Sequence, residues 1–127
     1  MTAMAAMAVD RPQWRAQHRF ARISPRKARL VMDMLRGLPC AEAVDVLRFD
    51  KRRASALISR VLHSAMNNAD EAEADMGNLV VAEARVDPGP YYRRWRPKDR
   101  GRAHPIAKRT SHLVVEVSPG RGASRRS

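Results

Sequence analysis

Residues 13–23, "QWRAQHRFARI", alternate: Trp14, Ala16, His18 and Phe20 fall on one side, and Arg15, Gln17 and Arg19 on the other. A period of two predicts a half-buried strand. The period then lengthens. In "SPRKARLVMDMLRG", Ala28, Val31 and Leu35 recur at helical spacing with Leu30 and Met34 beside them. Ser24 suits an N-cap, Pro25 the first helical position and Gly37 the C′ position. "CAEAVDVLR" predicts a short second helix with Ala43, Val44 and Leu47 inward. Asp50 is placed to cap a third, longer helix bearing Ala54, Leu57, Ile58, Val61, Leu62, Ala65 and Ala69, the most sustained periodic signal in the chain. Asn67 onward, through the acidic run "DEAEADMGN", is expected to fray into a solvated loop.

Alternation returns in "LVVAEARVD", which predicts a strand with Val80, Ala82, Ala84 and Val86 on one side, and in "SHLVVEVS", with Leu113, Val115 and Val117 on one side. The predicted order is strand, three helices, strand, long excursion, strand, an α+β arrangement. Two consecutive strands joined through a turn predict an antiparallel hairpin from about Val81 to Val114. At ~3.3 Å per residue, arms of roughly 17 residues reach up to ~50 Å, against a radius of gyration near ~14 Å for a domain of this length. A two-stranded hairpin alone in water is marginal, and like charges on its arms are expected to weaken it further. The domain is expected to span 13–118, with a flexible tail over 1–12 and a disordered basic tail over 119–127.

Charge changes this picture from an ordinary small domain to a polyanion binder. The 127 residues carry 25 Lys/Arg and 13 Asp/Glu, a formal net charge of +12. Residues 1–36 hold eight Lys/Arg against two acids, residues 37–87 six against nine, and residues 88–112 eight against one. One charge run alone is commonly a solvated face. Two basic flanks around an acidic middle point instead to a polyanion, of which nucleic acid is the usual case. Arg26, Lys27 and Arg29 sit in the first turns of the first helix, the wrong end of its dipole for cations. That placement hints at a phosphate nearby.

Enzyme chemistry finds little support. His18, His63, His104 and His112 show no metal-ligand spacing, and Asp70, Glu71, Glu73 and Asp75 lack the pattern of a calcium loop. The single cysteine, Cys40, excludes an intramolecular disulfide, fits a reducing compartment and reads as a small buried residue. No phosphate loop, dinucleotide fingerprint or nucleophile elbow is present. No apolar run approaches the ~18–20 residues of a membrane span, and "MTAMAAMAV" lacks the basic n-region of a signal peptide.

The excursion supplies the chemistry instead. "GPYYRRWRPKDRGRAHPIAKRTSH", residues 89–112, interleaves Arg93, Arg94, Arg96, Lys98, Arg100 and Arg102 with Tyr91, Tyr92 and Trp95. Arginine forms bidentate phosphate contacts and stacks on bases, and aromatics give stacking platforms. Lys108 and Arg109 follow, beside the hydroxyls of Thr110 and Ser111 and the ring of His112. Structured RNA suits an irregular arm better than duplex DNA, because it offers splayed bases, bulges and crevices. DNA or an unrelated messenger RNA is the competing target for the same surfaces.

"ARISPRKARLV", "RG", "NNA", "VDPGP", "RPKDRGRA" and "KRTSHLVVEVS", in this order, resemble the large-subunit ribosomal protein twenty-two family in its bacterial form, over roughly residues 18–118. The resemblance implies three helices packed on a small three-stranded antiparallel sheet, with a long protruding β-hairpin. It implies a cytoplasmic, ribosome-bound, non-enzymatic protein without cofactor. Its partners would be large-subunit rRNA, other large-subunit ribosomal proteins and the nascent polypeptide, with no membrane and no homo-oligomer. The body's RNA-facing positions would be His18, Arg19, Arg22, Ser24, Arg26, Lys27 and Arg29. The hairpin would thread rRNA and line the peptide exit tunnel with a tip comprising Arg93, Arg94, Trp95, Arg96, Pro97, Lys98, Asp99 and Arg100, a region the family links to macrolide sensitivity and stalling. Asp99 departs from the small or basic residue expected there, and Tyr91, Tyr92 and Trp95 are bulkier than the pattern implies.

Overall fold

The computed structural model describes residues 12–97, 101 and 103–120. The fold is α+β, with three helices and antiparallel strands: β1 (Trp14–Ala21), α1 (Pro25–Leu35), α2 (Cys40–Phe49), α3 (Arg53–Glu71), a 3-10 turn (Met76–Asn78), β2 (Leu79–Pro88), β3 (Tyr92–Pro97), β4 (Ala103–Lys108) and β5 (Ser111–Pro119). β5 lies between β1 and β2 in a three-stranded sheet, and β3 and β4 form a separate two-stranded ribbon. The central place of β5 follows from its composition. Leu113, Val115 and Val117 are fully buried under the helices, and Val114 is buried on the opposite face, in register with Gln17 and Arg85.

The helices close one face of the sheet. Val31, Met32 and Leu35 of α1, Cys40, Ala43 and Leu47 of α2, and Ile58, Leu62 and Ala65 of α3 join Val81, Ala84, Leu113 and Val115 in one core. α3 buries nearly the stripe its periodicity predicts, with Leu57 only half-buried. α1 differs: Met32 is buried while Leu30 and Met34 are exposed. A helix of this length has two adjacent apolar stripes, and the sheet accepts only one. Ser24 precedes Pro25 as expected, but its side chain makes no capping hydrogen bond. Asp50 does not cap α3; Arg52 occupies that position. Asp50 ends α2, its N–H donating to the Val46 carbonyl at 3.2 Å, and its carboxylate accepts the Arg52 N–H at 3.0 Å. The acidic run frays later than expected. α3 continues to Glu71, and the Asp75 carboxylate accepts the Gly77 N–H in the 3-10 turn.

Two bulges shift the strand phases. In β1 the register slips by one residue between His18 and Ala21, and Phe20 sits at φ +60. A bulky residue rarely adopts that conformation, and here its backbone N–H donates to His112 Nδ1 at 3.1 Å while its ring meets the His112 ring edge-on at 4.9 Å. Phe20 therefore points to solvent and Ala21 takes the inward place. In β2 the register slips between Val81 and Glu83, so Leu79 and Val81 face the core before the slip and Ala84 and Val86 after it. The inward set Val80 and Ala82 is thus corrected by a single extra residue.

The long hairpin is likewise broken into two ladders. The sheet pairing ends at Pro88 with Ser111, and the ribbon begins at Tyr92 with Lys108. Between them three residues on one arm oppose two on the other, held by the Gly89 N–H on the Thr110 carbonyl at 3.0 Å and by the Thr110 hydroxyl on the Pro90 carbonyl. A Cβ on Gly89 would lie 2.6 Å from Thr110 Oγ1, so only glycine fits this crossover. The six-residue ribbon ladders span ~20 Å each, less than the uninterrupted arms that the pattern suggested. Nor do like charges face one another throughout. Arg93 pairs with Ala107 and Arg94 with Ile106, so these guanidinia are staggered against small or apolar partners.

Across the sheet's other face, Arg15 lies 3.8 Å from Glu116, and Arg85 bridges Glu83 at 2.7 Å and Asp87 at 3.2 Å. Desolvation, and then its cross-strand neighbour Glu83, raise the Glu116 carboxyl above its ordinary value of 4.5, against the pull of Arg15 and Arg85. Its contribution to stability is full below that value and is lost as pH rises through the raised one. Glu116→Gln is therefore expected to raise the urea midpoint at pH 7 relative to the parent, with the difference vanishing near pH 4. A lower midpoint for the variant at pH 7 would reverse the sign. Asp50 acts oppositely: the Arg52 N–H lowers its carboxyl, so its stabilisation is lost on acidification through that lowered value.

Candidate nucleic-acid interface

The basic residues fall into three sets by what their side chains already do. Ion pairs among the described residues occupy Arg15, Arg36, Arg52 and Arg85. Arg29 is exposed, yet its Nη2 donates to the Val86 carbonyl at 3.2 Å and ties α1 to β2. Arg19, Arg22, Arg26 and Lys27 are exposed without an ion pair among the described residues. Arg19 stacks over the Phe20 ring at 5.4 Å. His18 is half-buried in β1.

The hydroxyls and His112 are placed differently from a phosphate-binding expectation. Thr110 and Ser111 are buried. Thr110 Oγ1 donates to the Pro90 carbonyl, and Ser111 Oγ donates to the Ile23 carbonyl at 2.6 Å. The Thr110 hydroxyl thus ties the two arms of the hairpin root together, and the Ser111 hydroxyl fastens that root to the body. His112 Nδ1 accepts the Phe20 N–H and is committed to the bulge. The pattern "KRTSH" therefore joins two solvent-facing cations, Lys108 and Arg109, to three structural residues.

On the ribbon Tyr91, Tyr92, Arg93, Arg94 and Trp95 are all exposed, Trp95 by 65%. Arg94 lies over the Tyr92 ring at 5.9 Å. Arg96, Pro97 and His104 are placed by the ladder alone: Arg96 pairs with His104 and Pro97 with Ala103. The expected tip residues Lys98, Asp99 and Arg100, and Arg102 beyond them, lie outside the described residues.

Where the root of the ribbon meets the body, an open cleft of about 1190 Å³ lies between the N-terminal ends of α1 and α3. The body contributes Arg22, Lys27, Arg52 and Arg53 to it, and the ribbon root contributes Arg94, Lys108 and Arg109. Among the described residues none that lines it is acidic. Arg52 and Arg53 are absent from the residues expected to bind, although "KRRA" at the start of α3 carried the same signal that marked α1: cations at a helix N-terminus with no acid in the first turn. α2, by contrast, follows the dipole, with Glu42 in its first turn and Arg48 in its last.

Cys40 is buried, and burial pushes its thiol up to about 11, which keeps it neutral. Among the described residues no group of His, Cys, Asp and Glu could hold a metal ion, and no helix is long and apolar enough to cross a membrane. The fold and this surface are those of a small basic α+β protein with exposed cations and aromatics on one ribbon and around one cleft. The family model for ribosomal protein L22p/L17e matches residues 16–118, and the chain belongs to that family. It is a family of structural, non-enzymatic ribosomal proteins that bind rRNA.

Proposed function

We propose that the chain is a constituent of the large ribosomal subunit. The exposed cations of the body and the ribbon bind large-subunit rRNA, and the ribbon threads the RNA so that its tip lines the nascent-peptide exit tunnel. The observation that carries this reading is the ribbon itself. It is six paired residues long, exposes Tyr92, two arginines and a tryptophan with Tyr91 exposed just before it, and holds no buried residue between Tyr92 and Trp95. Such a ribbon lacks a core of its own, and packed RNA supplies one. The arginines and lysines displace counterions, and the aromatics stack on bases. No catalytic step and no cofactor enter. Other large-subunit proteins and the emerging polypeptide complete its surroundings in a cytoplasmic ribosome.

Affinity-tagged full-length chain, expressed in the cells it comes from, tests this directly. It is expected to sediment with large subunits and to remain bound at physiological salt. Sedimentation with small subunits, or in the free-protein fractions, overturns the reading.

A further inference from the structure

We infer that the cleft at the ribbon root is a binding site for a short unpaired rRNA segment, seated with its phosphates toward the cations and a base on Leu30 and Tyr92. This deepens the proposed rRNA binding and rests on it. Three observations select this ligand. First, the cations come from three separate elements, α1, α3 and the ribbon, and converge on one concavity. A basic face that only solvates charge needs no such convergence.

Second, both helices that open into the cleft lack a capping bond from their N-cap side chain, although at α3 the Asp50 carboxylate accepts the Arg52 N–H. Neither Ser24 nor Arg52 makes a side-chain capping bond, and neither helix has an acid in its first turn. Their free N–H groups and dipoles add to the attraction for phosphate oxygens. Third, the lining is not purely polar. Leu30 is 57% exposed and Tyr92 47% exposed, with Ile23 and Ala54 beside them. An isolated exposed leucine is ordinary. A leucine and a tyrosine that both line a basic cleft offer apolar faces to a base, with Arg94 over one face of the Tyr92 ring.

The lining argues against two alternatives. A free nucleotide presents phosphate at one end only, whereas a strand of linked nucleotides sets successive phosphates against the cations of α1, α3 and the ribbon. A paired A-form helix offers phosphates and 2′-hydroxyls but keeps its base faces stacked, and it would leave Leu30 and Tyr92 in water. A bulge or loop satisfies both halves of the lining.

The test uses purified full-length chain and a large-subunit rRNA transcript. A photo-crosslinking benzophenone residue replaces Leu30, with Phe49, 79% exposed and outside the cleft, as the control position. The expected result is a crosslink from position 30 to one short stretch containing unpaired nucleotides, absent from position 49. Binding without that crosslink, or a crosslink confined to paired helices, overturns the inference while leaving rRNA binding intact. Absence of binding by the unsubstituted chain instead overturns the proposed function. A second variant guards against a misplaced probe: Lys27→Gln combined with Arg53→Gln is expected to lower the slope of log affinity against log salt by about 1.4–1.8, given ~0.7–0.9 per phosphate contact. An unchanged slope also overturns the inference.

Discussion

Truncating Leu113 to alanine is expected to destabilise the body by about 2–5 kcal/mol. Leu113 lies on the central strand, fully buried, with cross-strand partners His18 and Val86 and the helices over its face. The loss combines the transfer free energy of the removed methyls with a cavity that neither neighbouring strand can close. β1 is pinned by its bulge at Phe20, and β2 by the hydrogen bonds of Val81 with Gly37 and Leu38, 3.0 and 2.9 Å long. Against a total of about 5–15 kcal/mol for a domain of this kind, this is a large fraction. Urea denaturation followed by circular dichroism reads it as a lowered midpoint at unchanged slope. A shift worth less than about 1 kcal/mol would show that the sheet relaxes around the site.

Replacing residues 89–110 by an Asn-Gly turn is expected to leave the body folded and to remove most rRNA affinity. Pro88 and Ser111 are already backbone partners, so a two-residue turn closes the hairpin at that pair. The replaced segment carries eight Lys/Arg and one acid. A protein making 6–10 phosphate contacts loses about 10³–10⁵ in affinity between 50 and 200 mM salt. The shortened chain is expected to lose most of that salt dependence, while its helical circular dichroism matches the parent. Equal affinity and equal slope would place the RNA contacts on the body alone. A loss of helix would show that the ribbon root is part of the body's fold.

These two outcomes separate what local pattern reveals from what it hides. α3 is readable because its stripe is long and the core accepts nearly the same residues that the 3.6-residue period selects, from Ala54 to Ala69. The inward face of β5 is readable because nothing interrupts its alternation. β1 and β2 are not fully readable, because one inserted residue inverts a two-residue period. The phase break at Phe20-Ala21 is visible locally, but what holds it is not: Phe20 is held by His112, ninety-two positions away in sequence. Thr110 and Ser111 mislead for a similar reason. Their hydroxyls suit a phosphate, but the chain returns past Ile23 and Pro90 and engages them there.

The candidate site divides in the same manner. The ribbon's cations and aromatics are legible as composition, since they lie in one continuous segment. The cleft is a tertiary product: Lys27, Arg53 and Lys108 come together only when α1, α3 and the ribbon root meet. Its trace in the sequence is indirect, in cations at the N-termini of α1 and α3 where the helix dipole disfavours them. In α1 that trace marks Arg26, Lys27 and Arg29, of which only Lys27 lines the cleft and Arg29 turns to the Val86 carbonyl.

The central claim is that RNA supplies the order that the ribbon lacks. Amide hydrogen exchange of the full chain, measured free and within purified large subunits, tests it most directly. The predicted result is fast exchange of the β3 and β4 amides in the free protein, beside protected amides in β5 and α3, and strong protection of β3 and β4 within the subunit. Equal protection of the ribbon in both states would contradict it.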